Sequence, residues 1–238
     1  MKSVEKPRTY QKVVAITVDM QNDFVLPTGA LSVTQAEETI PAVNAVNEFV
    51  RENKGHVIFT QDWHRPDNEA HFAKWPVHCV QNRAGAALHD NVFVSSYDSI
   101  AQKGMYLEDD GYSGWGAELK PGVLHDLVGQ LPSEQRTVGR AIGILARITA
   151  ERGGRTAVLI DGVATDYCDL ATSLDALAES DPASTDIFIV ADGMRAVDLQ
   201  PGDGDAAIAK MLASGAHHIT SKEIVNGSIV VDRSRLER

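Results

Sequence analysis

Short runs of β-branched and apolar residues recur between longer segments of helical period, and this alternation restricts the fold to strands joined by crossover helices. Residues 13–18, 56–60, 92–95, 156–160, 186–191 and 217–220 read as strands buried on both faces. Residues 39–53 carry Ile40, Val43, Val46, Phe49 and Val50, and residues 141–152 carry Ile142, Leu145 and Ile148, both at helical spacing. Leu170, Leu174 and Leu177 suggest another helix, and residues 206–213 a further one, with Asp205 to cap its start and Gly215 to end it. Residues 224–231 read as an edge hairpin around Asn226-Gly227. The expected fold is α/β: a single-domain, three-layer α/β/α arrangement around a central, mostly parallel sheet of about six strands.

The 238 residues suffice for one α/β domain with a buried core. Residues 1–11 read as a short charged tail and 12–238 as the domain. With 22 basic and 33 acidic residues the net charge is −11, the wrong sign for a phosphate backbone, so nucleic acid is not an expected partner. The opening MKSVEKPRTYQK lacks the apolar core of a secretory signal, and no apolar run approaches membrane-spanning length. The expectation is a cytoplasmic protein with no membrane partner, whose two cysteines, Cys79 and Cys168, are reduced.

Residues 61–91 and 97–137 have little periodicity and are rich in Gly, Pro, Trp and His, so chemistry is expected there. Asp62-Trp63-His64 follows a predicted strand, and His71 and His78 come after it at intervals of seven. One carboxylate and three imidazoles at the carboxyl end of a strand suit zinc, iron or manganese, although several histidines on a loop also make an ordinary polar surface. Asp19 ends the apolar run 13–18, where it reads as a turn cap or as a carboxylate on the sheet edge. Cys168 falls where a strand ends at Gly162 and Thr165 or Asp166 caps the next helix. Unpaired N–H groups there favour a thiolate and can hold an oxyanion, although a lone cysteine is often only a small apolar residue. Cys79 reads as a packing residue, Lys103 as a solvated lysine, and His217 and His218 as strand residues.

Five segments in order, VDMQNDF (18–24), TQDWH (60–64), WPVHCVQ (75–81), KGM with YSGW (103–105 and 112–115) and GVATDYC (162–168), resemble the nicotinamidase branch of the isochorismatase-like cysteine hydrolases. The resemblance runs from Val13 to about Val231. It implies an isochorismatase-like fold and a triad of Asp19, Lys103 and Cys168. It further implies one divalent metal ion, zinc ahead of iron or manganese, held by Asp62, His64, His71 and His78. A cis Val163–Ala164 peptide is implied as well, with the N–H groups of Ala164 and Cys168 forming an oxyanion hole. Phe24, Trp75, Tyr112, Trp115 and Tyr167 would line a pocket for a flat ring.

The implied reaction converts nicotinamide to nicotinic acid and ammonia through a Cys168 thioester, a step of NAD salvage. The partner would be a small aromatic amide, and a homo-oligomer is compatible with the sequence. The alternatives are a related hydrolase acting on another amide or carbamoyl substrate, and a non-catalytic metabolite-binding protein on the same fold. Two departures from the family pattern stand out. Asp169 follows the nucleophile where an apolar residue is usual and would make the helix start more electronegative, and residues 121–140 are long enough to alter the pocket rim or a subunit contact.

Overall fold

A computed structural model of the chain describes residues 7–107 and 109–234. Its strands are β1 (Arg8–Tyr10), β2 (Lys12–Val18), β3 (His56–Asp62), β4 (Ser99–Lys103), β5 (Glu118–Leu119), β6 (Thr156–Val163), β7 (Thr185–Arg195), β8 (His217–Ile219) and β9 (Ile229–Val231). The helices are α1 (Asn22–Val25), α2 (Ile40–Glu52), α3 (Glu69–Phe72), α4 (Val123–Val128), α5 (Val138–Glu151), α6 (Leu170–Glu179), α7 (Asp203–Ala213) and α8 (Ser221–Glu223). The main sheet has seven strands in the order β5-β4-β3-β2-β6-β7-β8, parallel throughout except for β5. None of the described helices is long and apolar enough to cross a membrane.

Alternation along the strands divides the core into two. Val13 and Ala15 join Phe59, Leu159 and Val190 on the face covered by α2, which contributes Ile40, Val43, Val46 and Val50. Val14, Ile16 and Val18 join Ile58, Val158, Ile160 and Ile189 on the other face, under α4, α5, α6 and α7. Both faces are apolar because both are covered, which is why these strands lack polar alternation. Local signals set the helix ends. Pro41 opens α2, the Thr137 side chain accepts from the Arg140 N–H at the start of α5, and Gly215 (φ 111°) follows α7. Asp205 lies in the first turn of α7, and Gly202 takes the capping position expected of it.

Three expectations change. Residues 92–95 are irregular, because Arg51 holds them as a loop by donating to the Phe93 carbonyl and pairing with Asp98, and Phe93 and Val94 are exposed. The strand begins instead at Ser99, and with β5 the sheet reaches seven strands. Residues 224–231 form no hairpin. A capping box between Thr220 and Glu223 starts a helical turn, Gly227 (φ 91°) sits in the wide turn that follows, and β9 pairs in parallel with β1 from residues 8–10 of the charged N-terminal stretch. Within residues 121–140, α4 buries Leu124 and Val128 beneath the sheet, away from the aromatic cavity described below.

Candidate active site

Strand order reverses direction between β2 and β6: β3 and β4 extend to one side, β7 and β8 to the other. Crevices at the carboxyl ends of strands flanking such a switch are where open α/β sheets hold ligands, and the predicted residues converge there. Asp19 follows β2 in a left-handed conformation (φ 49°) and is fully buried. Thr60 on β3 fixes it from both ends, accepting from the Asp19 N–H at 3.2 Å and donating to Oδ1 at 2.7 Å. Lys103 ends β4, in register with Asp62 at the end of β3. Its buried ammonium lies 2.6 Å from Asp19 Oδ2 and 3.5 Å from Cys168 Sγ, and it also pairs with Asp62.

These contacts set the protonation states. Burial raises the Asp19 carboxyl above its ordinary range, with Lys103 opposing, so Asp19 is a stronger base than an exposed aspartate. Asp62 is also pushed up by burial, but Lys103, His64 and His78 outweigh this and leave it well below the usual range. Lys103 loses by burial and gains more from the two carboxylates, so it stays charged. Burial raises the Cys168 thiol well above its usual value despite Lys103, the reverse of the depression a helix N-terminus would give. Cys168 lies in a wide turn, Thr165–Asp169, ahead of α6, so its activation requires a base. Neither Thr165 nor Asp166 caps this turn. The Asp166 carboxylate instead accepts from the N–H groups of Val197 and Asp198. Asp169 is buried, and burial with the charges of Asp161 and Asp19 raises its pKa well above normal. Burial therefore disfavours negative charge at Asp169, so it opposes a thiolate less than the sequence expectation had it.

The three histidines come together, with their ring nitrogens within 4.8 Å of one another. His64 Nδ1 donates to the Gly104 carbonyl at 3.1 Å, His78 Nδ1 to the Pro76 carbonyl at 2.7 Å, and His71 Nδ1 lies 3.3 Å from Asp110 Oδ1. In each ring Nδ1 is engaged and Nε2 is left over. The Nε2 atoms of His64 and His71 are buried without a hydrogen-bond partner, and Asp62 Oδ2 lies 3.5 Å from His64 Nε2 and 3.8 Å from His78 Nε2. Buried unpartnered imidazole nitrogens beside a carboxylate suit a divalent metal better than a closed hydrogen-bond network. Gly104 is required here: its φ is +64°, and a Cβ would meet His64 Cε1 at 2.5 Å.

Beside Cys168 opens a narrow, mostly apolar cavity of about 30 Å3, with Phe24, Trp75, Tyr112 and Tyr167 on its walls and Ala164 also lining it. Trp75 donates to the Tyr112 hydroxyl at 3.0 Å and meets Tyr167 edge to face. Leu31, Val33 and Val197 complete the wall, and sequence reasoning missed them because a lone aliphatic residue on a loop carries no periodic signal. Trp115 is a correction. It is buried under the opposite face against α5, with its indole N–H donating to Glu179, and a Cβ at Gly139 would lie 2.2 Å from Trp115 Nε1. The Val163–Ala164 peptide is cis, as expected.

Two supporting residues of the first segment were also missed. Gln21 reads both backbone groups of Asp62, accepting from its N–H and donating to its carbonyl at 2.8 Å each. Asp23 accepts from the Cys79 N–H at 2.7 Å and so anchors the loop that carries His78. The available signal was a run of polar residues, Gln21 to Asp23, directly after an apolar strand.

Comparison with known proteins identifies the family. The Isochorismatase domain family matches residues 13–106. A nicotinamidase of Acinetobacter baylyi is 30% identical over 230 residues, spanning 88% of this chain and 93% of that protein. The pyrazinamidase of Pyrococcus horikoshii in complex with zinc superposes with a TM-score of 0.66 at 30% identity, covering 88% of this chain and 99% of its own. PnC1 from L. infantum in complex with nicotinate gives 0.69 at 28% identity over 95% and 100% of the two chains. The chain belongs to the nicotinamidase branch of the isochorismatase-like hydrolases.

Proposed function

We propose that this protein hydrolyses nicotinamide to nicotinic acid and ammonia in the cytoplasm, as a step of NAD salvage, through a thioester on Cys168. The observation that carries the reading is the Lys103 ammonium, 2.6 Å from Asp19 and 3.5 Å from the Cys168 sulfur, beside a narrow cavity walled by Phe24, Trp75, Tyr112 and Tyr167. Family membership and relatives whose structures hold zinc or nicotinate support it.

Asp19 takes the thiol proton, and Lys103 stabilises the negative charge wherever it resides, on the carboxylate or on sulfur. The thiolate attacks the carboxamide carbon, and the oxyanion meets the N–H groups of Ala164 and Cys168. When the tetrahedral adduct collapses, the C–N bond breaks, Asp19 returns its proton to nitrogen, and ammonia leaves. Water, deprotonated by Asp19, then attacks the thioester. The acid is released, and the proton held by Asp19 restores the thiol. Asp62, His64, His71 and His78 would hold a divalent ion. Bound there, such an ion would supply a Lewis acid that orients the substrate, while sulfur acts as the nucleophile.

The test is release of ammonia and nicotinic acid from nicotinamide by the purified protein beside Cys168→Ala. Equimolar products that fall about 10^4-fold or more in the variant are expected. Wild-type protein replete with metal that turned over no nicotinamide would refute the substrate assignment, and full activity in Cys168→Ala would refute the nucleophile.

A further inference from the structure

Two of the three histidines are aimed by backbone carbonyls, those of Gly104 and Pro76, which no side-chain substitution removes. His71 differs. It sits in α3, a four-residue turn too short to be rigid by itself, and its Nδ1 faces a side chain, Asp110 Oδ1, at 3.3 Å. Lys74, one turn further on, grips the same carboxylate at 3.0 and 2.8 Å. The histidine is 3% exposed, while Asp110 and Lys74 are 37% and 56% exposed. An ion pair that exposed contributes little stability, yet it fixes where the carboxylate points.

We infer that Asp110 is a positioning residue for metal binding: braced by Lys74, it accepts from His71 Nδ1–H, fixes the ring tautomer and turns Nε2 toward His64 and His78. This rests on the metal reading above. The buried Nε2 of His71, which has no hydrogen-bond partner, is the atom so presented. The loop is built to deliver the carboxylate. Gly111, next to Asp110, has φ +72°, and a Cβ there would lie 2.4 Å from Gly104 Cα, so only glycine lets the loop close onto the residue whose carbonyl aims His64. One loop therefore orients two imidazoles, and a carboxylate behind a ligating histidine raises the basicity of the nitrogen that binds.

The test is zinc affinity, measured by competition with a chromophoric chelator, for wild type, Asp110→Ala, Asp110→Asn, His71→Ala and the His71→Ala/Asp110→Ala double variant. Asp110→Ala should weaken zinc binding about 10–100-fold. Asp110→Asn, whose amide oxygen still accepts from Nδ1, should lose less. In the His71→Ala background the second substitution should change nothing, because its effect passes through His71. The cobalt-substituted protein should show a shifted ligand-field spectrum in Asp110→Ala, while the metal-free variant melts with the wild type. Wild-type affinity in Asp110→Ala, or an equal loss with and without His71, would overturn the inference. Failure of the wild type to bind zinc would instead overturn the metal reading itself, and this inference with it.

Discussion

Asp161→Asn should change how stability depends on pH. Asp161 sits on β6, buried on both sides of its carboxyl, and burial raises its pKa to about 8; the Thr17 hydroxyl opposes the shift and the Asp192 charge adds to it. Because the folded pKa lies above the unfolded one, the folded chain holds a proton that the unfolded chain releases as pH climbs past about 4. The contribution to stability is therefore full below that point and is lost as pH rises toward 8, at about 1.4 kcal/mol per unit. Asparagine matches the neutral acid in shape and does not titrate. Between pH 5 and pH 7 the variant should gain about 2–3 kcal/mol on the wild type. Urea unfolding of both proteins at pH 5, 6 and 7 and fixed ionic strength measures this, and taking the difference cancels the titration of groups that do not interact with Asp161. A difference that stays flat across the three pH values would refute the assignment of Asp161 as a buried neutral acid.

Other substitutions probe the site. Lys103→Met leaves Asp19 and Asp62 buried without their shared cation and should cost about 3–5 kcal/mol, a fall in Tm of about 6–20 °C by calorimetry. Tyr112→Phe removes the acceptor of the Trp75 indole N–H and should raise KM about 3–10-fold with a smaller effect on kcat, read from initial rates across nicotinamide concentrations. Removing metal with a chelator should abolish nicotinate formation, and zinc should restore it in wild type but not in His64→Ala; undiminished activity without metal would separate the histidines from the reaction.

Hydropathy located the buried strands β2, β3, β6 and β7 and misjudged β4. In β4, Lys103 turns to Asp19 while Gln102, on the opposite face, donates to Gln61, so Ser99–Lys103 looks unlike a buried strand, while the neighbouring Val92 to Val94 stretch looks like one and is a loop. Asp19, Lys103 and Cys168 were each ambiguous singly, because a carboxylate, an ammonium and a thiol gain meaning only from one another, and the three are separated by most of the chain. The histidines were more legible, since their even spacing along one loop signalled a common centre. Trp115 was misplaced because spacing within an irregular loop does not report which face a side chain takes: three residues earlier Tyr112 faces the cavity, while Trp115 turns beneath the sheet to α5. Asp110 had no signal in a run of acidic residues until the loop was seen to close on His71.

The strand order also divides the chain into two contiguous blocks. β2 to β5 neighbour one another in sequence and in space, as do β6 to β8, and the blocks meet along the β2–β6 pairing of Lys12–Val18 with residues 156–162. Asp19, Lys103 and every candidate metal ligand belong to the first block, while Ala164 and Cys168 belong to the second. During synthesis the last candidate metal ligand, His78, therefore precedes Cys168 by 90 residues, and the thiol meets Asp19 and Lys103 only when the seam zips shut.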